Sequence, residues 1–248
     1  MPSGLAFEWA DEIDSTNSEL MRRARAGNLA RAQLLAAGAQ TAGRGRMGRV
    51  WDARPGHALL MSIAYPLADT CALNGLSLAL GVAAAEALQP HAVKLKWPND
   101  LLLDGCKLGG ILVESVAAHG TRWVVAGVGL NLQSAPVGAA ALNTGDVQSA
   151  GTRIAQAWWD ALAAFASNGF APFRPRWQAL HAWRGLAVTA THPNGTRHAG
   201  FATGVDEQGA LLIQLLANAT SQSQTQNHTT SAVMARIDSL DFSLQLAA

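Results

Sequence analysis

Short apolar runs broken by polar, glycine-rich segments fill most of this chain, and helical spacing is confined to a few stretches. Residues 5–12 read as an opening strand. A helix starts at Asp14-Ser15-Thr16-Asn17-Ser18-Glu19, where Thr16 and Glu19 have the spacing of a capping box, and Gly27 ends it. Residues 34–37 and 57–65 are apolar strands. Residues 74–89 form an apolar helix stopped by Pro90. Residues 93–97 alternate apolar side chains with Lys94 and Lys96, which places both lysines on one strand face. Asp104-Gly105 between two strand-like runs is a hairpin signal. Residues 122–132 give one more strand, and two helices follow at 152–168 and 172–183.

Near Gly185 the texture changes to short strands separated by Pro193-Asn194-Gly195 and Asp206-Glu207-Gln208-Gly209 turns. Residues 217–232 are rich in Ser, Thr, Gln and Asn and read as a flexible hairpin loop. Residues 233–237 and 242–246 then close a small barrel. The expectation is α+β: a mixed, largely antiparallel sheet with helices over residues 1–184, and a small C-terminal β-barrel over 185–248.

Composition narrows the functional classes. Hydrophobic residues make up 49% of 248 and charged residues only 14%, with net charge +1 and a pI of about 7.9. That balance argues against a general nucleic-acid binder. The start of the chain lacks the basic, apolar pattern of a secretion signal, and no run is long enough to span a bilayer. Cys71 and Cys106 lack metal-ligand spacing, and unclustered thiols suit a reducing compartment, so the cytoplasm is expected. Fifteen arginines stand against three lysines, and those three (Lys94, Lys96, Lys107) lie close together.

The candidate chemistry begins at Gly43-Arg44-Gly45-Arg46-Met47-Gly48-Arg49-Val50-Trp51. Glycines admit positive φ and close approach, exposed backbone N–H groups can cradle an anion, and arginines supply charge in a planar fork. Trp51 offers a face for an aromatic ring. The run also fits G-x-G-x-x-G, but turn residues follow it where a dinucleotide fold needs a helix. Lys96-Trp97-Pro98-Asn99-Asp100 reads either as an Asx turn or as a carboxylate set for Mg²⁺ with nucleotide phosphates. Lys107-Leu108-Gly109-Gly110 and Gly127-Val128-Gly129 weaken their strands unless something approaches closely.

Taken in order, Ser15-Thr16-Asn17, the Gly43–Trp51 loop, Lys96–Asp100, Lys107–Glu114 and Gly127–Asn131 resemble the biotin–protein ligases. The resemblance implies a biotin/lipoate ligase-like catalytic domain with an SH3-like C-terminal barrel. It implies ATP- and Mg-dependent formation of biotinyl-5′-adenylate, then transfer of biotin to a lysine of a biotin carboxyl carrier protein. By motif, Ser15, Thr16, Asn17 and Gln40 would hold the ureido ring. Arg44, Gly45 and Arg46 would wrap the valerate and phosphate, and Gly110 belongs to the same biotin site. Lys107 and Arg46 would carry the chemistry. Trp51 would cover the adenine, with Arg49, Lys96, Asn99, Asp100 and Asn131 on the nucleotide side and Asp100 on the magnesium. Only 13 residues precede Asp14, too few for the DNA-binding domain of some relatives. Where relatives end the barrel strand in Ser-Leu-Arg, this chain has Gln245. The rival readings are a lipoate or octanoyl transferase of the same fold and a non-catalytic biotin sensor. The resemblance allows a homodimer.

Overall fold

The computed structural model describes residues 2–144, 146–215, 233–238 and 242–247. It divides into two units, Met1–Ala182 and Trp183–Ala248. The first is built on seven strands: β1 (Ala6–Ile13), β2 (Gln33–Gln40), β3 (Ala58–Leu67), β4 (Lys94–Lys96), β5 (Asp100–Leu103), β6 (Cys106–Ala118) and β7 (Thr121–Asn131). Their order is β1-β2-β3-β7-β6-β5-β4. The β1–β2 pair is parallel and every other pair antiparallel. Tight hairpins account for the antiparallel part. At the β5–β6 turn, Asp104 (φ 50°) and Gly105 (φ 78°) both take the left-handed conformation that a two-residue hairpin needs.

Helix α1 (Thr16–Arg25) crosses from β1 to β2. Its residues 17, 20, 21 and 24 are buried, the spacing of a single helix face. Leu20, Met21 and Ala24 pack on Leu35, Ala64 and Val125 of the sheet. Burying each large side chain there contributes about 1.5–3 kcal/mol. The helix begins one residue earlier than a Thr16–Glu19 capping box implies. Ser15, in extended backbone (φ −163°, ψ 131°), is the cap and accepts from the Ser18 N–H at 3.4 Å. Thr16 is already helical, and its hydroxyl contacts Ser62.

The other face of the sheet is covered by α2 (Leu76–Ala87) and α3 (Val147–Asn168). Gly81 of α2 lies against Leu95 and Ile111, and Gly151 of α3 leaves room for Leu59. The Trp158 indole N–H donates to the Leu80 carbonyl at 3.0 Å, joining the two helices. Helix α3 starts at Val147 and not near residue 152, because Asp146 caps it by accepting from the Ser149 N–H at 2.8 Å. Helix α4 (Arg174–Leu180) is shorter than the sequence pattern suggests. His181 leaves helical geometry to bridge Leu95, and the Ala182 N–H donates to the Leu95 carbonyl at 2.8 Å.

The second unit is an antiparallel five-stranded sheet of β8 (Ala187–Thr191), β9 (Arg197–Val205), β10 (Leu211–Leu215), β11 (Met234–Ile237) and β12 (Ser243–Leu246), in the order β11-β10-β9-β8-β12. Gln245 lies on β12 opposite Thr189. The polar run 217–232, read as a flexible loop, lies outside the described residues.

The position of α1 also depends on a chain of ion pairs. Arg23 bonds Glu8 of β1 at 2.6 Å and Glu19 at 2.7 Å, and Arg22 bonds Asp14 at 2.7 Å. The Arg23 guanidinium holds the carboxyls of Glu8 and Glu19 below their usual range, and Arg22 does the same for Asp14. A carboxylate whose folded-state pKa is lowered adds stability above its unfolded pKa of about 4, and that stability is lost as pH falls through the folded value. The melting temperature should therefore fall as pH drops below about 4. Arg23→Gln should lower it at pH 7 by the effect of about 1 kcal/mol, or roughly 2–4 °C, because these groups are partly exposed and screened. The variant should also show a shallower acid-induced drop. An acid profile parallel to the parent's would show that Arg23 carries none of this linkage.

Candidate active site

The α1-facing side of the sheet is stripped of side chains along one line. Val125, Gly127, Gly129 and Asn131 alternate onto that face of β7. Gly127 pairs with Ser62 of β3 and Leu112 of β6, and Gly129 pairs with Gly110. A Cβ at Gly127 would collide with the Asn17 amide and stand 2.8 Å from the Ser62 hydroxyl. At Gly129 a Cβ would stand 2.6 Å from the Trp51 indole nitrogen. At Gly110 it would only touch Asp100 Oδ1 and Lys107 Nζ at 3.7 Å and Asn99 Nδ2 at 3.8 Å, ordinary van der Waals distances. The close approach implied by the glycine pairs is thus real at Gly127 and Gly129, where Asn17 and Trp51 occupy the space. Gly109 accommodates the neighbouring strand instead.

At one end of this floor sits a buried polar relay. The Gln40 side-chain oxygen accepts from the Thr16 N–H at 2.7 Å. The Thr16 and Ser62 hydroxyls lie 2.7 Å apart, and Ser62 donates to Asn17 Oδ1 at 2.6 Å. Asn17 Nδ2 donates to Glu114 Oε2 at 3.0 Å. Ser15, Thr16, Asn17 and Ser62 are all buried. Buried polar groups of this kind are costly unless paired. Here they are paired with one another on the inner face of a helix N-terminus, which presents a fixed pattern of donors and acceptors. Sequence reasoning missed Ser62, Ser18 and Glu114. The available signal for Ser62 was a lone hydroxyl inside the apolar run Leu-Leu-Met-Ser-Ile-Ala.

At the other end two of the three lysines converge. Asp100 receives Lys107 Nζ at 2.7 Å on Oδ1 and Lys96 Nζ at 3.3 Å on Oδ2. Lys94 is exposed. Lys96 and Asp100 meet because they are register partners across the short β4–β5 hairpin.

The glycine–arginine segment spans both ends. Its base is closed by the Trp51 N–H donating to the Gly43 carbonyl at 2.9 Å and by an Arg44–Val50 bridge. Arg44 donates to Ser18 Oγ at 3.0 Å and to both Glu114 oxygens at 2.8 and 3.1 Å. Arg46 donates to Asn99 Oδ1 at 3.0 Å, and Asn99 is held by the Ile111 carbonyl. The segment thus touches the polar relay with one arginine and the lysine end with another. Trp51 lies between them on Gly129, its buried indole N–H without a partner.

Several expectations need correcting. Positive φ in this segment falls at Met47 (57°) and Gly48 (70°), while Gly45 is extended. The N–H groups of Gly45, Arg49 and Trp51 are taken by carbonyls of the segment itself, so they form no free anion cradle. Arg49 is exposed at the tip, with Met47 Sδ at 3.8 Å. Asn131 does not join Asp100: its amide donates to the Ala140 carbonyl at 3.1 Å and anchors the segment after β7. Trp51 lies against the sheet floor, between the relay and Lys107. For a resident magnesium the donor set is unsuitable. Both Asp100 oxygens face ammonium groups, and no cluster of three His, Cys, Asp or Glu occurs among the described residues.

This chain is similar to known proteins in both sequence and structure. Residues 9–131 match the biotin/lipoate A/B protein ligase family. The biotin–[acetyl-CoA-carboxylase] ligase of Paracoccus denitrificans is 34% identical over 222 residues, covering 81% of this chain and 91% of that protein. The chain is a biotin–protein ligase family member. The bifunctional ligase/repressor BirA of Escherichia coli K12 is 35% identical over 218 residues, covering 82% of this chain and 67% of that protein. The biotin protein ligase of Aquifex aeolicus, solved with biotin and ATP, superimposes with a TM-score of 0.77 at 26% identity, covering 98% of this chain and 99% of that one. The mixed sheet with helices on both faces is the fold of these biotin ligases. No helix among the described residues is long and apolar enough to cross a membrane.

In this ligase fold the bare floor makes Gly127 a sensitive position. Gly127→Ala should displace Asn17 and break its bond with Ser62. Isothermal titration should then show biotin binding weakened by at least about tenfold, the scale of one lost buried hydrogen bond to a charged or polar network. Unchanged biotin affinity in the folded variant would mean that the close approach of Asn17 to β7 is dispensable.

Proposed function

We propose that this site activates biotin with MgATP and transfers it to one lysine of a biotin carboxyl carrier protein. The observation that carries this reading is the placement of the polar relay and the Lys107–Asp100 pair at opposite ends of one glycine floor. From Glu114 to Gly110 along β6 the floor spans roughly 13 Å at the rise of an extended strand. That distance suits a compact polar ring at one end and a flexible chain ending in a carboxylate at the other.

The ureido ring offers one carbonyl acceptor and two N–H donors. Thr16, Asn17, Ser62 and Gln40 supply the complementary set, and Ser15 caps the helix that carries them. The apolar middle of the ligand follows the strip once Trp51 leaves Gly129, and Trp51 then covers the adenine. The biotin carboxylate runs past Gly110 toward Lys107. A carboxylate oxygen attacks the α-phosphorus of ATP, and the bond to pyrophosphate breaks. Negative charge grows on the phosphoryl oxygens during this step. The Lys107 ammonium and the Arg46 guanidinium lie on this side to offset it. Asp100 holds Lys107 and Lys96 in place beforehand. Magnesium arrives as part of the nucleotide substrate. The amine of the carrier lysine then attacks the acyl carbon, an amide forms, and AMP leaves. Arg49, on the loop, and Asn131, at the end of β7, act on the nucleotide side. With Cys71 and Cys106 both free thiols, we assign the protein to the cytoplasm.

Purified protein given biotin, MgATP and a carrier domain should add biotin to a single carrier lysine, read by intact-mass and peptide spectrometry. A folded protein that labels no carrier would remove this reading, and labelling with lipoate in preference to biotin would replace it. Within the reaction, Lys107→Ala should slow adenylate formation by roughly 10²–10³, the usual cost of one lost transition-state donor. Its melting temperature should change little, because Lys107 is exposed on a strand next to a turn. An adenylation rate close to the parent's would leave Lys107 as a solvated strand residue.

A further inference from the structure

One carboxylate in the site takes no part in the reaction steps above. Glu114, half-buried on β6, bonds Asn17 Nδ2 at 3.0 Å and both of its oxygens contact Arg44 Nη2. We propose that Glu114 is the positioning residue that sets the donor–acceptor polarity of the head-group relay and ties the glycine–arginine loop to it. The proposal rests on the biotin ligase reading and adds a determinant of how the head group is recognised.

The count of donatable protons fixes the polarity of the relay. An ionised carboxylate accepts hydrogen bonds and donates none. Asn17 must therefore turn its NH₂ group to Glu114, which leaves Oδ1 facing Ser62. Ser62 has one hydroxyl proton, and it goes to Asn17 Oδ1. The Thr16 hydroxyl, with Ser62 at 2.7 Å and Gln40 Oε1 at 3.1 Å, then gives its one proton to the nearer Ser62. Gln40 Oε1 is served by the Thr16 N–H at 2.7 Å. Each orientation follows from the one before it. Without a charged acceptor at 114, only the long 3.4 Å bond from Asn17 Nδ2 to the Leu112 carbonyl would oppose a flip of the amide, and the direction of the whole relay would weaken. A ring with one acceptor and two donors needs that direction fixed.

The same carboxylate holds the loop. Arg44 and Glu114 are partly exposed, and an exposed ion pair contributes little to global stability. Its effect here is on register, since Arg44 also bonds Ser18 on α1 and its loop carries Trp51 and Arg46. Head-group polarity and loop position thus share one anion.

The test compares Glu114→Gln, Arg44→Met and the double variant with the parent. Initial rates of biotin-dependent ATP–pyrophosphate exchange are measured with biotin and with 2-thiobiotin, a neutral analogue that keeps both N–H groups and has a weaker acceptor in place of the carbonyl. Glu114→Gln should raise the KM for biotin at least about tenfold, the scale of one charge-assisted hydrogen bond, and leave the KM for ATP nearly unchanged. The ratio of kcat/KM for biotin over 2-thiobiotin should fall several-fold, because both ligands are neutral and a lost relay polarity penalises the stronger acceptor more. Arg44→Met should raise the same KM, and the double variant should be no worse than the more impaired single variant, as coupled partners require. Equal losses for both ligands, or a parallel rise in both KM values, would overturn the proposal and leave Glu114 a structural residue. If Glu114→Gln does not fold, an unchanged biotin KM in Arg44→Met overturns it alone. A parent enzyme without biotin-dependent exchange would remove the ligase reading and this proposal together. An active parent with unaffected variants removes only the proposal.

Discussion

The absence of side chains at Gly127, Gly129 and Gly110 is the constraint from which the rest of this site follows. Three glycines on one face of neighbouring strands leave a flat strip of backbone inside an otherwise filled core. Glycine normally weakens a strand, because it loses more entropy on folding and packs nothing. Here the strip is framed by strong elements. The β3–β7 and β6–β7 ladders run for ten residue pairs each. The vacated volume admits the N-terminus of α1 at one end and Trp51 in the middle, and leaves the Gly110 end open. A side chain at Gly127 or Gly129 would displace a functional group instead of filling a void.

Electrostatics is then distributed to suit a ligand that is polar at one end and anionic at the other. The relay end is built mainly from neutral groups that satisfy one another, with Glu114 as its charged member. The lysine end gathers fixed cations around one acid. Arg44 and Arg46 lie two positions apart on one loop, yet they reach opposite ends of the strip. Movement of this loop would therefore alter both ends at once. That arrangement suits a reaction whose intermediate must be kept from water between two steps.

Most of the fold was legible in the sequence because its connections are local. Asp104-Gly105 marks a hairpin, the apolar run before Pro90 marks a buried helix, and Gly27 marks the end of α1. Errors arose where a tertiary partner overrode local preference. Thr16 looked like a cap until Ser62 and Gln40 claimed its side chain and N–H. Helix α4 was cut short by the pairing of His181 with Leu95, which no local pattern shows. The site was legible as a list of motifs but not as an arrangement. Nothing in the order of residues says that Lys96 and Lys107 share Asp100, that Asn131 turns to Ala140, or that Ser62 and Glu114 complete the relay. Such contacts depend on sheet register, and register is set by long-range pairing.

The central claim is that one ligand lies along the glycine strip with its polar ring at α1 and its carboxylate at Lys107. A crystal structure of the protein with biotin tests it most directly. The account predicts the ureido group within hydrogen-bond distance of Thr16 and Asn17, the Trp51 ring moved off Gly129, and the carboxylate beside Gly110 and Lys107. Biotin bound in the reverse direction, or bound away from the Gly127–Gly129 face, would contradict it.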